Sequence, residues 1–188
     1  MLGQLDRFPG YAPGWEALGQ SLAQPHPAAA HVAFERAAKA YRVAEAAAPG
    51  ADVAYHLGAV LRRLGDGQGA RAALQRATSI DPAHAPAWFT LGLLRQDDGD
   101  RAGAIQAFRS ALAARPAYHE AAFNLAVALQ EVGELEAALD QYATAWRLRP
   151  DSFGRIAQAL VSPACGRLWL DPAALRKDLA ARSLAASA

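Results

Sequence analysis

The chain contains 188 residues, of which 53% are hydrophobic and 20% are charged. This composition indicates one folded globular domain and not a disordered chain. The net charge of +1 argues against a nucleic-acid-binding protein, because such proteins neutralise phosphates with a clear excess of Lys and Arg.

Neither membrane insertion nor secretion is indicated. No apolar run reaches the roughly 18 residues that a membrane-spanning helix needs. The N-terminus lacks the basic and apolar regions of a secretory signal. The single cysteine, Cys165, cannot form a disulfide within the chain and fits a reducing compartment, so we expect a cytoplasmic protein. The abundance of alanine, with only two lysines among 19 basic residues, indicates a bacterial origin.

The first 50 residues predict two helices separated by a break. Within residues 12–50, Pro25 and Pro27 end the first helix, because proline cannot continue a helical hydrogen-bond ladder. Residues 28–48 predict one long second helix. Residues 1–11 look like the tail of an earlier helix.

Three segments of 34 residues then align without gaps. They are residues 51–84, 85–118 and 119–152. The residues that recur at intervals of 34 are Leu57, Leu91 and Leu125, then Ala70, Ala104 and Ala138, then Pro82, Pro116 and Pro150. We predict two helices in each segment, near residues 52–64, 68–80, 86–98, 102–114, 120–132 and 136–148.

Small residues explain how the two helices of a segment pack together. Gly58, Gly92 and Ala126 recur on the first helix, where they let the second helix approach closely. The turn glycines are Gly65, Gly99 and Gly133, at positions where a positive φ costs glycine little. Each helix pair leaves an apolar face that only a neighbouring pair can cover, so the pairs must stack.

Residues 153–188 depart from the repeat and predict a C-terminal cap. A short helix comes first and is followed by a turn and a short extended piece. Asp171 and Pro172 then fit the N-cap and the first position of a last helix. Leu175 and Leu179 lie one turn apart on that helix, where they would shield the apolar face of the last pair.

The 34-residue pattern resembles the tetratricopeptide repeat. That family carries Trp, Leu, Gly and Tyr in a first helix, and Ala, Phe or Tyr, Ala and Pro in a second. The middle segment matches it with Trp88, Leu91, Gly92, Ala104, Phe108, Ala111 and Pro116, and departs from it at Arg95 in the tyrosine position. The resemblance implies an all-α fold, an α-solenoid in which antiparallel helix pairs form a right-handed superhelix. Residues 1–11 would be the tail of a partial repeat, 12–50 a degenerate unit, 51–152 three units and 153–188 the cap.

The resemblance also implies a binding surface. In this family the first helices line the concave face, through positions 2, 5, 6, 9, 12 and 13 of each unit. These positions hold Asp52, Tyr55, His56, Ala59, Arg62 and Arg63 in the first unit; Pro86, Phe89, Thr90, Leu93, Gln96 and Asp97 in the second; and Glu120, Phe123, Asn124, Val127, Gln130 and Glu131 in the third. Position 5 is aromatic and position 9 is apolar in every unit, and an exposed apolar strip of this kind commonly marks a binding site.

We therefore expect a protein-interaction scaffold whose partner is a protein or peptide with hydrophobic anchors, held as an amphipathic helix or an extended segment. Arg62 and Arg63 at one end, with Asp97 and Glu131 further along, would orient a charged partner. The family's carboxylate clamp is not predicted, because it needs basic or amide residues at positions 5 and 9. Two alternatives stay open. One is the accessory repeat region of a bacterial glycosyltransferase or methyltransferase, and the other is a self-associating scaffold.

No catalytic, cofactor or metal site is predicted, so we expect a protein that is not an enzyme. The histidines, which we interpret as solvated or capping side chains because no metal-binding motif accompanies them, are His26, His31, His56, His84 and His119. Gly65, Gly67 and Gly69 imitate part of a dinucleotide-binding loop, but they follow a helix and not a strand. Cys165 is interpreted as a small apolar filler.

Overall fold

The computed structural model describes residues 10–161 and 172–185 of the chain. These residues form ten α-helices and contain no strand, which confirms the all-α prediction. The chain divides into two compact units, residues 1–94 and residues 95–188. The predictions for Cys165, for Asp171 and for the extended piece before Asp171 lie outside the described residues.

The first unit is built from helices that pack on their neighbours in chain order. Its helices are α1 (Ala12–Leu22), α2 (Pro27–Ala47), α3 (Ala51–Arg63), α4 (Gly67–Ile80) and most of α5 (Ala85–Asp97). α1 packs on α2, α2 on α3, and α3 on α4. The larger side chains buried in its core are Trp15, Leu18, Phe34, Tyr41, Leu57, Leu61, Leu74, Leu91 and Leu94.

The second unit repeats this arrangement and ends in two further helices. It contains α6 (Arg101–Ala114), α7 (His119–Glu131), α8 (Leu135–Leu148), a 3-10 turn (Pro150–Ser152), α9 (Phe153–Leu160) and α10 (Pro172–Ala185). α7 packs between α6 and α8, while α9 and α10 both contact α8. The larger buried side chains are Phe108, Leu125, Leu129, Leu139, Tyr142, Ile156, Leu160, Leu175 and Leu179.

The six helices predicted for the three repeat segments begin and end within one residue of their predicted bounds. The turns between the helices explain this agreement. Gly65, Gly99 and Gly133 have φ angles of 80°, 78° and 86°, which residues with a side chain rarely adopt. Asp66 and Asp100 follow two of these glycines and cap the next helix, accepting backbone N–H bonds at 2.8 and 2.9 Å.

Gly58 shows why the first helix carries a small residue. A Cβ at this position would lie 2.7 Å from Leu74 Cγ and 3.2 Å from the Ala70 carbonyl oxygen. A Cβ contact of 2.7 Å essentially never occurs, and one of 3.2 Å is unusually tight, so α3 and α4 pack at their present distance because Gly58 lacks a side chain.

Two departures from the repeat pattern have clear structural consequences. α2 has 21 residues where α4 has 14, so the prediction of a long second helix is confirmed. Arg95 stands where the family has tyrosine, and its Nη1 donates to the Gly103 carbonyl oxygen at 3.0 Å. The guanidinium thereby joins α5 to the start of α6.

Ion pairs and apolar contacts hold the last helix in place. Pro172 begins α10, as predicted. Arg182 of this helix donates to Glu136 at 2.6 Å and to Asp140 at 2.7 Å, both on α8, and to Asp178 at 3.1 Å. No helix in the described ranges is long and apolar enough to span a bilayer.

Candidate partner-binding surface

The sequence predicts thirteen partner-contacting residues on α3, α5 and α7. Arg63 is exposed, Gln130 is buried, and the other eleven are half-buried. The half-buried residues are Tyr55, His56, Ala59, Arg62, Phe89, Thr90, Leu93, Gln96, Phe123, Asn124 and Val127. These half-buried side chains pack against the protein on one side and keep part of their surface exposed.

A pocket of about 190 Å³ in the first unit, called the first-unit pocket below, gathers six of these thirteen residues. The six are Tyr55, Ala59, Arg62 and Arg63 from α3 with Thr90 and Leu93 from α5. The other lining residues are Glu16 and Gln20 from α1, Phe34 from α2 and Val60 from α3. The pocket is therefore lined by a mixture of apolar and polar side chains that includes one carboxylate and two guanidinium groups, and its exposed lining is more polar than apolar.

The carboxylate of Glu16 joins three helices at the edge of this pocket. Tyr41 Oη of α2 donates to Glu16 Oε2 at 2.7 Å, and His56 Nδ1 of α3 donates to the same oxygen at 3.1 Å. Gln20 Nε2 donates to Glu16 Oε1 at 3.2 Å. The rings of Tyr41 and His56 stack with centroids 5.5 Å apart and planes 8° apart. The Glu16 side chain keeps only 12% of its surface exposed.

These hydrogen bonds set the charges at neutral pH. Burial raises the pKa of Glu16, but the hydrogen bonds from His56 and Tyr41 outweigh it and hold that pKa below its ordinary value. The hydrogen bond to Glu16 raises the pKa of His56. Burial, followed by the bond to Glu16, raises the pKa of Tyr41. Glu16 is therefore ionised and Tyr41 is neutral.

Sequence reasoning missed Glu16 and Gln20, although the register contains the signal that identifies them. Trp15 and Gly19 of α1 take the positions that Trp88 and Gly92 hold in the middle unit. Counted in that register, Glu16 is at position 5 and Gln20 at position 9. The degenerate unit therefore carries polar groups at the two positions where the three regular units carry aromatic and apolar side chains.

Two histidine rings contact the ring of Tyr55, which lines the pocket. The ring centroids of His56 and His84 each lie 5.0 Å from the ring centroid of Tyr55. His84 Nδ1 accepts the Ala87 N–H at 3.0 Å, and its Nε2 lies 3.1 Å from Asp52 Oδ1. His84 thus caps α5, which confirms the interpretation of a capping histidine at this position.

In the second unit, Phe123 of α7 is partly covered by its neighbours. The ring of Tyr142 meets it edge-on at 5.7 Å, and the guanidinium of Arg155 from α9 lies 4.7 Å above it. Such a cation–π contact contributes roughly 0.5–1 kcal/mol at an exposed site. The Asn124 amide donates to the Glu120 carbonyl oxygen of its own helix at 2.7 Å.

Gln130 has a structural role, and its assignment to the open surface is wrong. It is only 6% exposed. Its Nε2 donates to the Ala159 carbonyl oxygen of α9 at 3.0 Å, and its Oε1 accepts the Tyr142 hydroxyl at 3.0 Å. The amide therefore bridges three helices, because α9 covers the last turn of α7.

The interpretation of His119 as a solvated or capping side chain is also wrong. His119 is 6% exposed, and neither of its ring nitrogens has a hydrogen-bond partner in the described part of the chain. Its ring stacks on Phe123 with centroids 6.5 Å apart. Burial, followed by the positive charge of Arg149, lowers its pKa. The ring packs as a neutral aromatic side chain.

The other motifs of the sequence belong to the scaffold. Gly65, Gly67 and Gly69 form the turn between α3 and α4 and the first residues of α4, with Asp66 as the cap. Among residues 10–161 and 172–185, no group of three His, Cys, Asp or Glu side chains could hold a metal ion.

Comparisons with known proteins agree on one family. Models of the tetratricopeptide repeat match residues 51–94 and residues 95–161, which together make up more than half of the chain. No curated protein matches the chain. A crystal structure of MamA aligns with a TM-score of 0.63 and 20% identity over 90% of this chain and 92% of that chain. The crystal structure of YrrB, described as a TPR protein with an unusual peptide-binding site, aligns with a TM-score of 0.55 and 24% identity over 78% of this chain and 73% of that one. These likenesses confirm the helical-repeat solenoid fold.

Proposed function

This chain belongs to the tetratricopeptide repeat family, and we propose that it binds a partner protein or peptide through the first helices of its repeats. Members of the family are generally scaffolds without enzymatic activity, and we propose no catalytic role. The bacterial and cytoplasmic assignments stay predictions from composition.

The first-unit pocket is the observation that carries this proposal. It brings Tyr55, Ala59 and Leu93 together in one concavity, although Leu93 lies on a different helix from the other two. Half-buried aromatic and aliphatic side chains around a concavity suit the hydrophobic anchors of a peptide. The rim of Arg62 and Arg63 adds charge that can orient the bound segment.

A second contact area is proposed on α7. Phe123 and Val127 lie one turn apart and are both half-buried, so they present an apolar strip. Arg155 lies above the Phe123 ring and fixes its orientation. A side chain that is already ordered loses little conformational entropy when a partner binds.

Peptide selection tests the proposal. Random dodecapeptides displayed on phage are selected on the full chain, and the affinity of the best synthetic peptide is measured by fluorescence anisotropy. The double variant Tyr55→Ala/Leu93→Glu should bind that peptide at least about tenfold more weakly, because each lost apolar anchor removes roughly 1.5 kcal/mol or more.

The matched control is Val43→Glu, which places the same charge on an exposed position of α2 outside the pocket. Circular dichroism verifies that all variants keep their helix content. Equal affinities of the pocket variant and the wild type would show that the pocket is not the binding site.

A further inference from the structure

We infer that His119 is an acid-sensitive switch: when its ring takes up a proton, the ring turns from Phe123 towards Glu120 and loosens residues 149–155, which lead into α9 and form its first turn. The inference goes beyond the proposed function and needs no partner. It stands on the burial of the ring, on a carboxylate that two cations would share and on the shortness of α9.

The buried ring of His119 has no acceptor for the additional N–H that protonation creates. The side chain is 7% exposed, and neither ring nitrogen has a hydrogen-bond partner in residues 10–161 and 172–185. The other buried histidine of these ranges, His84, is bonded through both nitrogens, to the Ala87 N–H and to Asp52. An imidazolium donates from both nitrogens, so a charged His119 would leave two buried donors unpaired. The cost of burying such a charge drives the ring out of its present position.

The charges around the ring favour its neutral form. Burial, followed by the positive charge of Arg149, lowers the pKa of His119 and outweighs the nearby carboxylates. The ring also lies at the N-terminal end of α7, where the helix dipole disfavours a cation. From the α6 side, the guanidinium of Arg115 lies 5.0 Å from the Tyr118 ring. The charged groups that act on the ring are Arg149 after α8, Asp151 in the 3-10 turn, Arg155 on α9 and Glu120 on α7 itself.

Glu120 provides a place to which the protonated ring can move. Its Oε1 accepts from Arg149 Nη2 at 3.1 Å and lies 4.0 Å from His119 Nδ1. A shift of the ring by about 1 Å brings that nitrogen within hydrogen-bond distance. Two cations then meet at one oxygen, and the imidazolium weakens the hold of Glu120 on Arg149. The ring cannot keep its charge on Phe123, because the guanidinium of Arg155 already lies 4.7 Å from that ring.

The start of α9 is the segment that can respond. The helix has eight residues, and a helix this short depends on contacts with the rest of the protein. Its second residue is Gly154, which favours the unfolded backbone, and a Cβ there would meet nothing within 4 Å. Ile156 and Leu160 are completely buried and hold the rest of the helix. The loosening is therefore confined to the first turn, where the contacts of Arg149 and Arg155 are lost.

Nuclear magnetic resonance of the full chain tests the switch. Between about pH 8 and pH 5.5 the carboxylates stay ionised, so histidines dominate the titration. The Cε1–H resonance of His119 should titrate below the ordinary histidine midpoint of about 6.5. The amides of Gly154 and Arg155 should shift with the same midpoint and lose protection from hydrogen exchange as the pH falls, because the neutral ring is the form that the fold stabilises. In His119→Phe, which keeps an aromatic ring on Phe123, these amides should not respond to pH.

A second pair of variants separates the switch from simple burial. Arg149→Gln removes a repelling charge and frees Glu120, so the midpoint of His119 should move to higher pH. Arg147→Gln makes the same change two residues earlier and should leave the midpoint where it is in the wild type. Amide shifts in α9 that persist in His119→Phe, or a midpoint that Arg149→Gln leaves unchanged, would overturn the inference. None of these measurements uses a partner, so either outcome leaves the proposed function untouched.

Discussion

Replacing Gly58 by alanine should destabilise the protein although alanine is the better helix former. Helix propensity alone gives Gly58→Ala a gain of about 1 kcal/mol. The new Cβ, however, would meet the branch point of Leu74 at 2.7 Å, and Leu74 is completely buried and cannot move aside. Overpacking of a tight core costs about 1–3 kcal/mol. Because the clash involves a branch carbon and also the Ala70 backbone oxygen, we take the upper value and expect a net loss of about 2 kcal/mol.

A double-mutant cycle measures this clash directly. Leu74→Ala alone should cost about 2–5 kcal/mol, because it leaves a cavity. In that background Gly58→Ala no longer meets the Leu74 side chain but keeps the 3.2 Å contact with the Ala70 carbonyl oxygen, so it should stabilise the protein by at most about 1 kcal/mol. The coupling between the two substitutions is therefore at most about 3 kcal/mol, measured as free energies of unfolding in urea by circular dichroism.

The third repeat supplies a natural control. Ala126 occupies the position equivalent to Gly58 and is completely buried. Ala126→Gly should cost about 1 kcal/mol or more through lost propensity and lost packing. If Gly58→Ala were neutral or stabilising in the wild-type background, the close approach of α3 and α4 would not be the reason for the glycine.

Three further predictions concern local interactions. The pKa of His56 is raised in the folded protein, so the stability that protonated His56 contributes is complete below about pH 6.5 and is lost as the pH rises through the folded pKa. The pKa of Glu16 is lowered, so the stability that ionised Glu16 contributes to the same pair is lost as the pH falls through its folded pKa. The difference in unfolding free energy between the wild type and His56→Gln should therefore be larger at pH 5.5 than at pH 8.5, and a difference independent of pH would contradict the pairing. Asp66→Ala should cost about 1 kcal/mol in urea unfolding through loss of the bond to the Gly69 N–H, whereas an unchanged midpoint would argue against the cap. Gly99→Ala should cost about 1–2 kcal/mol because φ is positive there, and a melting temperature equal to that of the wild type would show that the turn adapts.

The regular part of the fold could be predicted almost residue by residue. Glycine with positive φ in the turns and proline after each second helix are local signals, and they recur three times with one spacing. Local signals of this kind need no knowledge of distant contacts. The helix bounds follow from them to within one residue.

The errors arose where a distant segment decides the environment of a residue. Gln130 lies at a repeat position that the sequence assigns to the surface. It is buried because α9 packs over it and accepts its hydrogen bond at Ala159, 29 residues further along the chain. His119 is also only 6% exposed, and the charges of Arg149, Asp151 and Arg155 are close enough to act on its pKa. Neither burial has a local sequence signal.

Glu16 is a different kind of omission. Its position within the repeat follows from Trp15 and Gly19, so the register alone could have placed it beside α3. Its hydrogen bonds to Tyr41 and His56 could not be predicted, because they depend on the side-chain directions of three helices.

The turns between paired helices have a consequence for synthesis on the ribosome. The bond between Asp66 and Gly69 spans three residues, and the same bond recurs between Asp100 and Gly103. Contacts between residues so close in sequence form quickly, without the entropy loss of closing a long loop. Each turn, with the capped first turn of the helix that follows it, can therefore form soon after it leaves the exit tunnel, while the rest of the chain is still being translated.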